Sequence, residues 1–319
     1  MELVVDNLVS PITLSFVLGM IACWIRSDLE VPGPLYQGLS IYLLFAIGLK
    51  GGVAVSETPL AELIWPAIAT AVLGIITPFS AFLILRYFGK LKRVDAAAAA
   101  AHYGSVSAVT FLAAAEAAKA AGLEPEGYLA ALVAILEVPG IIVGLMLAQN
   151  LRGSGIKGVM HEVLTGKSIL LLVGAMIIGI ACGAQKVDSV APFFIAPFKG
   201  VLCIFLLELG IVAARRIKDM RDSGWRVILS GCLLPLFHGS IGTIVGVTVG
   251  MSAGGAAILG AMVGSASYIA APAAVRIALP SASPGIYLTL ALGVTFPFNL
   301  AIGIPVYMSL ASWFVSSAA

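Results

Sequence analysis

The sequence predicts an all-α polytopic membrane protein: ten transmembrane helices built as two inverted five-helix repeats. Three observations predict it. Sixty per cent of the 319 residues are hydrophobic and only 11% are charged, and the mean hydropathy is +1.07, too apolar for a soluble domain of this length. Apolar runs close to the ~20 residues that cross a hydrocarbon core of ~30 Å recur ten times. The tetrad Gly-Ser-X-Ser occurs twice, in "HYGSVSAVTF" at Gly104 and in "VGSASYIAAP" at Gly264, half a chain apart.

The apolar runs place spans at 10–26, 35–55, 63–86, 95–117 and 127–150, then at 168–185, 192–214, 225–250, 255–278 and 285–315. This divides the chain into a first repeat (1–150), a polar cytoplasmic linker (151–167) and a second repeat (168–319). The tetrads share their register with other pairs: Gly19–Cys23 with the end of "IIGIAC" at Cys182, Trp65 with Trp225, Tyr128 with Tyr287, Pro139 with Pro297, and Gly144 with Gly303. Five spans is an odd number, so the second repeat enters the membrane upside down, the plan of secondary transporters. No cleavable leader is expected, since no basic stretch precedes Ser10.

Basic residues set the orientation. With the N-terminus outside, fourteen of the eighteen Lys and Arg fall in cytoplasmic loops, and only Lys50, Lys119, Lys186 and Lys199 lie opposite. The positive-inside rule therefore puts both termini outside. Cys23, Cys182, Cys203 and Cys232 lack metal-ligand spacing and read as packing residues. No P-loop, dinucleotide fingerprint, nucleophile–base pair, metal-binding cluster or nucleic-acid patch is present, so neither an enzyme nor a cofactor protein is expected.

Gly104 and Gly264 each lie about ten residues into a span, near the midplane. One such tetrad alone would read as a helix-packing device. Duplication at equal depth, with Pro272 following the second, points instead to discontinuous fourth and ninth helices whose second halves begin near Ser105 and Ser265. Inversion then brings two positive half-helix ends together, which suits a small oxyanion without a buried arginine. Glu137, mid-span in "ILEVPGII" and followed by Pro139, supplies hard oxygens for a sodium ion or a carboxyl for a proton. Asn299, in "FPFNLAIGIP", can donate to the anion or ligate sodium. Glu208 is expected to pair with Arg215 or Arg216, and Lys50 to sit at an interface. His102 and His238 read as satisfied core histidines, and the alanine runs at 96–101 and 113–121 as packing surface.

"HYGSVSAVTF", "GSASYIAAPAAVRIALP" and "FPFNLAIGIP" together resemble the sodium-dependent bicarbonate transporters of cyanobacteria and their bacterial relatives, over essentially the whole chain. The resemblance implies a ten-helix fold with core and gate domains, a homotrimer in the plasma membrane, and sodium-coupled bicarbonate uptake. It implies for some members inhibition by a cytoplasmic PII-like protein. Carried onto this chain, the bicarbonate site falls at Gly104, Ser105, Ser107, Gly264, Ser265 and Ser267, with sodium ligands among neighbours such as Glu137 and Asn299. Some members have a long hydrophilic insert where this linker has 17 residues, and Asp-Ile-Pro where this chain has Glu137-Val138-Pro139. Transport of another small carboxylate or inorganic anion, and sodium/proton exchange with Glu137 as proton carrier, are the competing readings.

Overall fold

The computed structural model describes residues 9–148, 158, 161, 164–219 and 224–318; most of the expected linker, with Arg152 and Lys157, and also Arg221, lie outside them. The described residues contain helices and no strand. α1 (Pro11–Trp24) starts where Ser10 caps it, its Oγ accepting the Thr13 N–H at 3.2 Å. α2 (Gly33–Glu57) and α3 (Leu60–Leu83) follow, α3 running into a π-helical turn at Ile84–Phe88. α3 opens three residues ahead of the expected span at 63–86. The expected fourth span is two helices, α4 (Arg93–Tyr103) and α5 (Ala108–Ala120), and α6 (Leu129–Met146) completes the first half.

The second half comprises α7 (Lys167–Asp188), the short α8 (Ala191–Phe194), α9 (Phe198–Asp219) and α10 (Trp225–Thr248). The expected ninth span is again two helices, α11 (Ala253–Val263) and α12 (Ala271–Ala278). The last span is α13 (Pro284–Leu288), α14 (Phe296–Phe298) and α15 (Ile304–Ala318), joined by π-helical segments at Thr289–Thr295 and Asn299–Gly303. Pro272 does not kink a helix; it sits in the first turn of α12, where its missing N–H costs nothing.

Eight stretches of the described residues are long and apolar enough to cross a membrane, and α1 and α11 are shorter apolar helices. This is a multi-pass helical membrane protein. Within Arg93–Ala120, 94% of an apolar 18-residue window is buried inside the protein, against 28% of the corresponding window in Lys167–Asp188. That difference matters because backbone can leave the helix at membrane depth only where protein, not lipid, surrounds it.

The helices pack in two groups. α2 lies along α7, and α1 along α9, through small residues: a Cβ on Gly19 would strike the Leu207 carbonyl of α9, and one on Gly52 the Met176 carbonyl of α7. In the second group α3 packs on α4 and α6 while α10 packs on α11 and α15. Here six consecutive residues of α4, Ala96–Ala101, are alanine and completely buried. Only short side chains let α6 approach so closely that a Cβ on Gly140 would overlap the Gly104 carbonyl, and one on Gly144 would meet Ala101. With no gain from leaving water, such close van der Waals contact is what holds membrane helices together. Glu208 is attracted electrostatically by Arg215, as expected, and its Oε2 also accepts the Val31 N–H at 3.2 Å, tying the α1–α2 connection to α9.

Gly140→Ala should therefore lower thermal stability by roughly 1–3 kcal/mol through overpacking. Gly174→Ala, on α7 with nothing within 4 Å of the added Cβ, should be neutral or stabilising. Melting curves of the two purified variants in one detergent check this.

Candidate functional site

Both tetrads fall where helices stop. α4 ends at Tyr103 with Gly104 as its C-cap, and α11 ends at Val263 with Gly264 as its C-cap. The glycines are not there for unusual dihedrals, since Gly104 (φ −81°, ψ −14°) and Gly264 (φ −79°, ψ 1°) suit any residue. They are there because nothing larger fits. A Cβ on Gly104 would lie 2.7 Å from the Gly140 Cα and 2.8 Å from the Pro78 Cβ; one on Gly264 would lie 2.7 Å from the Pro235 carbonyl and 2.8 Å from the Tyr307 hydroxyl.

The second half-helices begin later than Ser105 and Ser265. α5 starts at Ala108, capped by Ser107, whose Oγ accepts the Thr110 N–H at 3.2 Å. α12 starts at Ala271, and Ser267 Oγ accepts the N–H groups of Ala270 and Ala271 at 3.4 and 3.5 Å. In the first break the third position of "SVS" does the capping expected of the first; in the second, α12 is preceded by Ala270 and has no side-chain cap, and Ser267 instead holds the turn ahead of it.

Two hydrogen bonds cross between the breaks. The Ser107 N–H donates to Ser265 Oγ at 2.8 Å, and the Ser267 N–H donates to the His102 carbonyl at 2.8 Å. Ser265 Oγ in turn donates to the Met262 carbonyl at 2.7 Å. Ser105, its counterpart in the first tetrad, is buried with no hydrogen-bond partner on its Oγ. The tetrads are equivalent in sequence and unequal in use.

A small enclosed cavity of about 10 Å³ lies beside the crossing, lined among others by Ser107, Ala108, Ser267 and Tyr268 from the breaks, Glu137 from α6 and Ser168 from α7. Glu137 is 5% exposed and has no hydrogen-bond or ion-pair partner among the described residues. An ionised carboxylate in that setting is costly unless a cation or proton joins it. At the same cavity, Ala108 and Val109 in the first turn of α5 have no intrahelical acceptor for their N–H groups, and the positive end of the helix favours an anion. The geometry therefore places a carboxylate able to hold a cation next to a helix start able to hold an oxyanion.

Of the eight predicted site residues, Ser107, Ser267 and Glu137 meet at this cavity. Gly104, Gly264, Ser105 and Ser265 lie behind it in the crossing. Asn299 is also held back: its Nδ2 donates to the Gly264 carbonyl at 2.9 Å, and its Oδ1 accepts the Tyr307 hydroxyl at 3.0 Å. The single Tyr307 O–H is shared between Asn299 Oδ1 and the nearer Pro235 carbonyl, at 2.7 Å. Asn299 and Tyr307 thus brace the second break from α10 and the last span. His102 spends Nδ1 on the Ala98 carbonyl at 2.7 Å and stacks on Tyr287, leaving Nε2 without a partner.

Tyr268 and Ser168 were missed by sequence reasoning. Tyr268 directly follows the second tetrad, and a hydroxyl-bearing ring at that depth was a usable signal; here the hydroxyl is buried near Ser107 without completing a hydrogen bond. Ser168, one residue into α7, carried no signal.

The family profile described as the Na+-dependent bicarbonate transporter superfamily matches residues 11–312. The chain belongs to that superfamily. No curated protein matches it. Membership agrees with the multi-pass helical architecture and with the resemblance seen in the three motifs, and it names sodium and bicarbonate as the family's ions.

If the crossing bond matters, the two serines must differ. Ser265→Ala leaves the buried Ser107 N–H unpaired and should cost about 1–3 kcal/mol of stability. Ser105→Ala removes a hydroxyl with no partner and should be near neutral. Thermal unfolding of both variants decides it, and equal losses would contradict the geometry.

Proposed function

We propose that this protein imports bicarbonate together with sodium by alternating access. The observation that carries the proposal is the convergence of Glu137, a carboxylate without a partner among the described residues, with the start of α5, its capping Ser107 and the turn serine Ser267 on one cavity. In this reading the anion rests against the free N–H groups at the start of α5 and the Ser267 turn, and Glu137 faces the sodium ion. Each ion lowers the cost of burying the other, which makes their binding mutually dependent. Gly104, Gly264, Ser265 and Asn299 hold the two breaks in place rather than touching the ions, and Ser105 lies buried beside them with no partner for its hydroxyl among the described residues.

The ten-span inverted repeat, divided at the linker 151–167, belongs to the same proposal and has support in the packing. Exchanging first-half spans for their second-half counterparts turns the α1–α9 pair into the α7–α2 pair, and turns the α3–α4 and α3–α6 contacts into α10–α11 and α10–α15. On this scheme α1, α2, α7 and α9 form the gate and the rest the core. The cavity lies between them, since Leu44 of α2 and Ser168 of α7 border it opposite the breaks. Sliding of the core past the gate would then expose the site to one side at a time. The distribution of basic residues supports a plasma-membrane protein with both termini outside.

Sodium/proton exchange is a second reading favoured by one observation, that an unpartnered carboxyl suits a proton as well as a cation. Labelled bicarbonate uptake into proteoliposomes separates the two. A sodium gradient should drive accumulation and replacement by choline should abolish it, whereas an exchanger would show sodium-driven pH change without bicarbonate uptake. Glu137→Gln should raise the half-saturating sodium concentration by roughly ten- to a hundredfold, because a charged ligand interaction is worth about 1.5–3 kcal/mol. Unchanged sodium dependence would leave Glu137 with a packing role.

A further inference from the structure

Away from the central cavity, a much larger one of about 400 Å³ opens between α2, α5, the start of α6 and the start of α9. Three of the four lysines on the minority side of the charge distribution, Lys50, Lys119 and Lys199, line it, each from a different helix. The charges are unevenly matched. Glu116 of α5, only 8% exposed, is shared between Lys199 at 2.8 Å and Lys119 at 3.4 Å. Lys50 has no ion pair among the described residues, and Lys119 repels it more strongly than Glu116 attracts it. Two other carboxylates border the cavity. Glu126 spends both oxygens on Ser252, accepting its N–H at 2.5 Å and its O–H at 3.1 Å, and Glu124 is exposed to solvent. Apolar walls from Ile47, Phe111, Leu112 and Leu129 strengthen the field of the unmatched cation.

We infer that this cavity is a second, outer anion site, a vestibule in which Lys50 recruits a small monovalent oxyanion before it reaches the breaks. It rests on the proposed orientation and transport direction. Glu116 lies nine residues beyond Ser107, about 14 Å along α5, with Phe111 and Leu112 between. The ion pairs of Glu116 serve the same end. Three unmatched lysines around one apolar cavity would trap an anion, and a transport pathway needs sites weak enough to leave. Glu116 engages two lysines while offsetting one of the three positive charges, and leaves Lys50 without an ion pair among the described residues.

Cys203 borders an adjoining cavity of about 290 Å³ together with Glu116 and Lys199, which makes it a probe of the local potential that needs no transport. With Cys23, Cys182 and Cys232 changed to serine, the test compares its reaction rates with an anionic and a cationic methanethiosulfonate in proteoliposomes, each normalised to a free thiol. The anionic reagent should react faster. Lys50→Gln should reduce that preference and Glu116→Gln should increase it. In bicarbonate uptake at low salt, Lys50→Gln should raise the half-saturating concentration roughly tenfold, a difference that shrinks at high salt. Glu116→Gln should lower half-saturation while slowing the maximal rate. No anionic preference, or a preference that Lys50→Gln leaves unmoved, overturns the vestibule. A potential that responds as expected in a protein that takes up no bicarbonate upholds the anion site and overturns the transport reading instead.

Discussion

A backbone N–H at membrane depth has no water to turn to, and that constraint organises the structure around the two breaks. Each interruption frees N–H and carbonyl groups whose burial without partners costs several kcal/mol. The breaks meet the cost together: Ser107 donates to Ser265, Ser267 donates to the His102 carbonyl, the Ser107 hydroxyl caps α5, and the Ser267 hydroxyl accepts the Ala270 N–H in the turn ahead of α12. Neither break is satisfied alone. The first needs the Ser265 hydroxyl and the second needs the His102 carbonyl, so the halves of the chain must dock before either is complete.

Docking at that distance dictates much of the surrounding composition. Gly104 and Gly140 touch backbone to backbone, Gly264 fits beneath Pro235 and Tyr307, and the alanines of α4 leave no side chain to hold α3 and α6 apart. What looks like low-complexity sequence at 96–101 is the condition for the crossing. The same logic explains why Asn299 and Tyr307 are buried polar residues in an apolar span: they bind the carbonyls of Gly264 and Pro235.

Much of this was legible in the sequence, and the unread parts have physical causes. Apolar length located the spans well: 63–86 corresponds to Leu60–Phe88, and 225–250 to Trp225–Thr248. The duplicated tetrads located both breaks. Hydropathy could not say where each half-helix restarts, because Ser105 and Ser107 are equally good caps and only packing selects Ser107. It could not foresee the π-helical segments at Thr289–Thr295 and Asn299–Gly303, since these answer local packing rather than composition. It ranked Glu137 and Asn299 alike as polar residues at depth, although their surroundings differ completely.

That last difference bears on coupling. Asn299 has a protein partner on each side-chain atom, so its energy is already committed to the fold. Glu137 has none among the described residues, and a lone buried carboxylate is unstable until something positive arrives. An anion at the adjacent start of α5 would make that instability worse by like-charge repulsion, and a sodium ion between them would relieve both. In the proposed mechanism, the penalty on the anion-loaded, sodium-free site follows from this one unpaired group. A partner for Glu137 within the fold would stabilise the empty site and weaken the dependence of one ion on the other. The missing hydrogen bond is therefore consistent with a carrier that gains by binding both ions or neither.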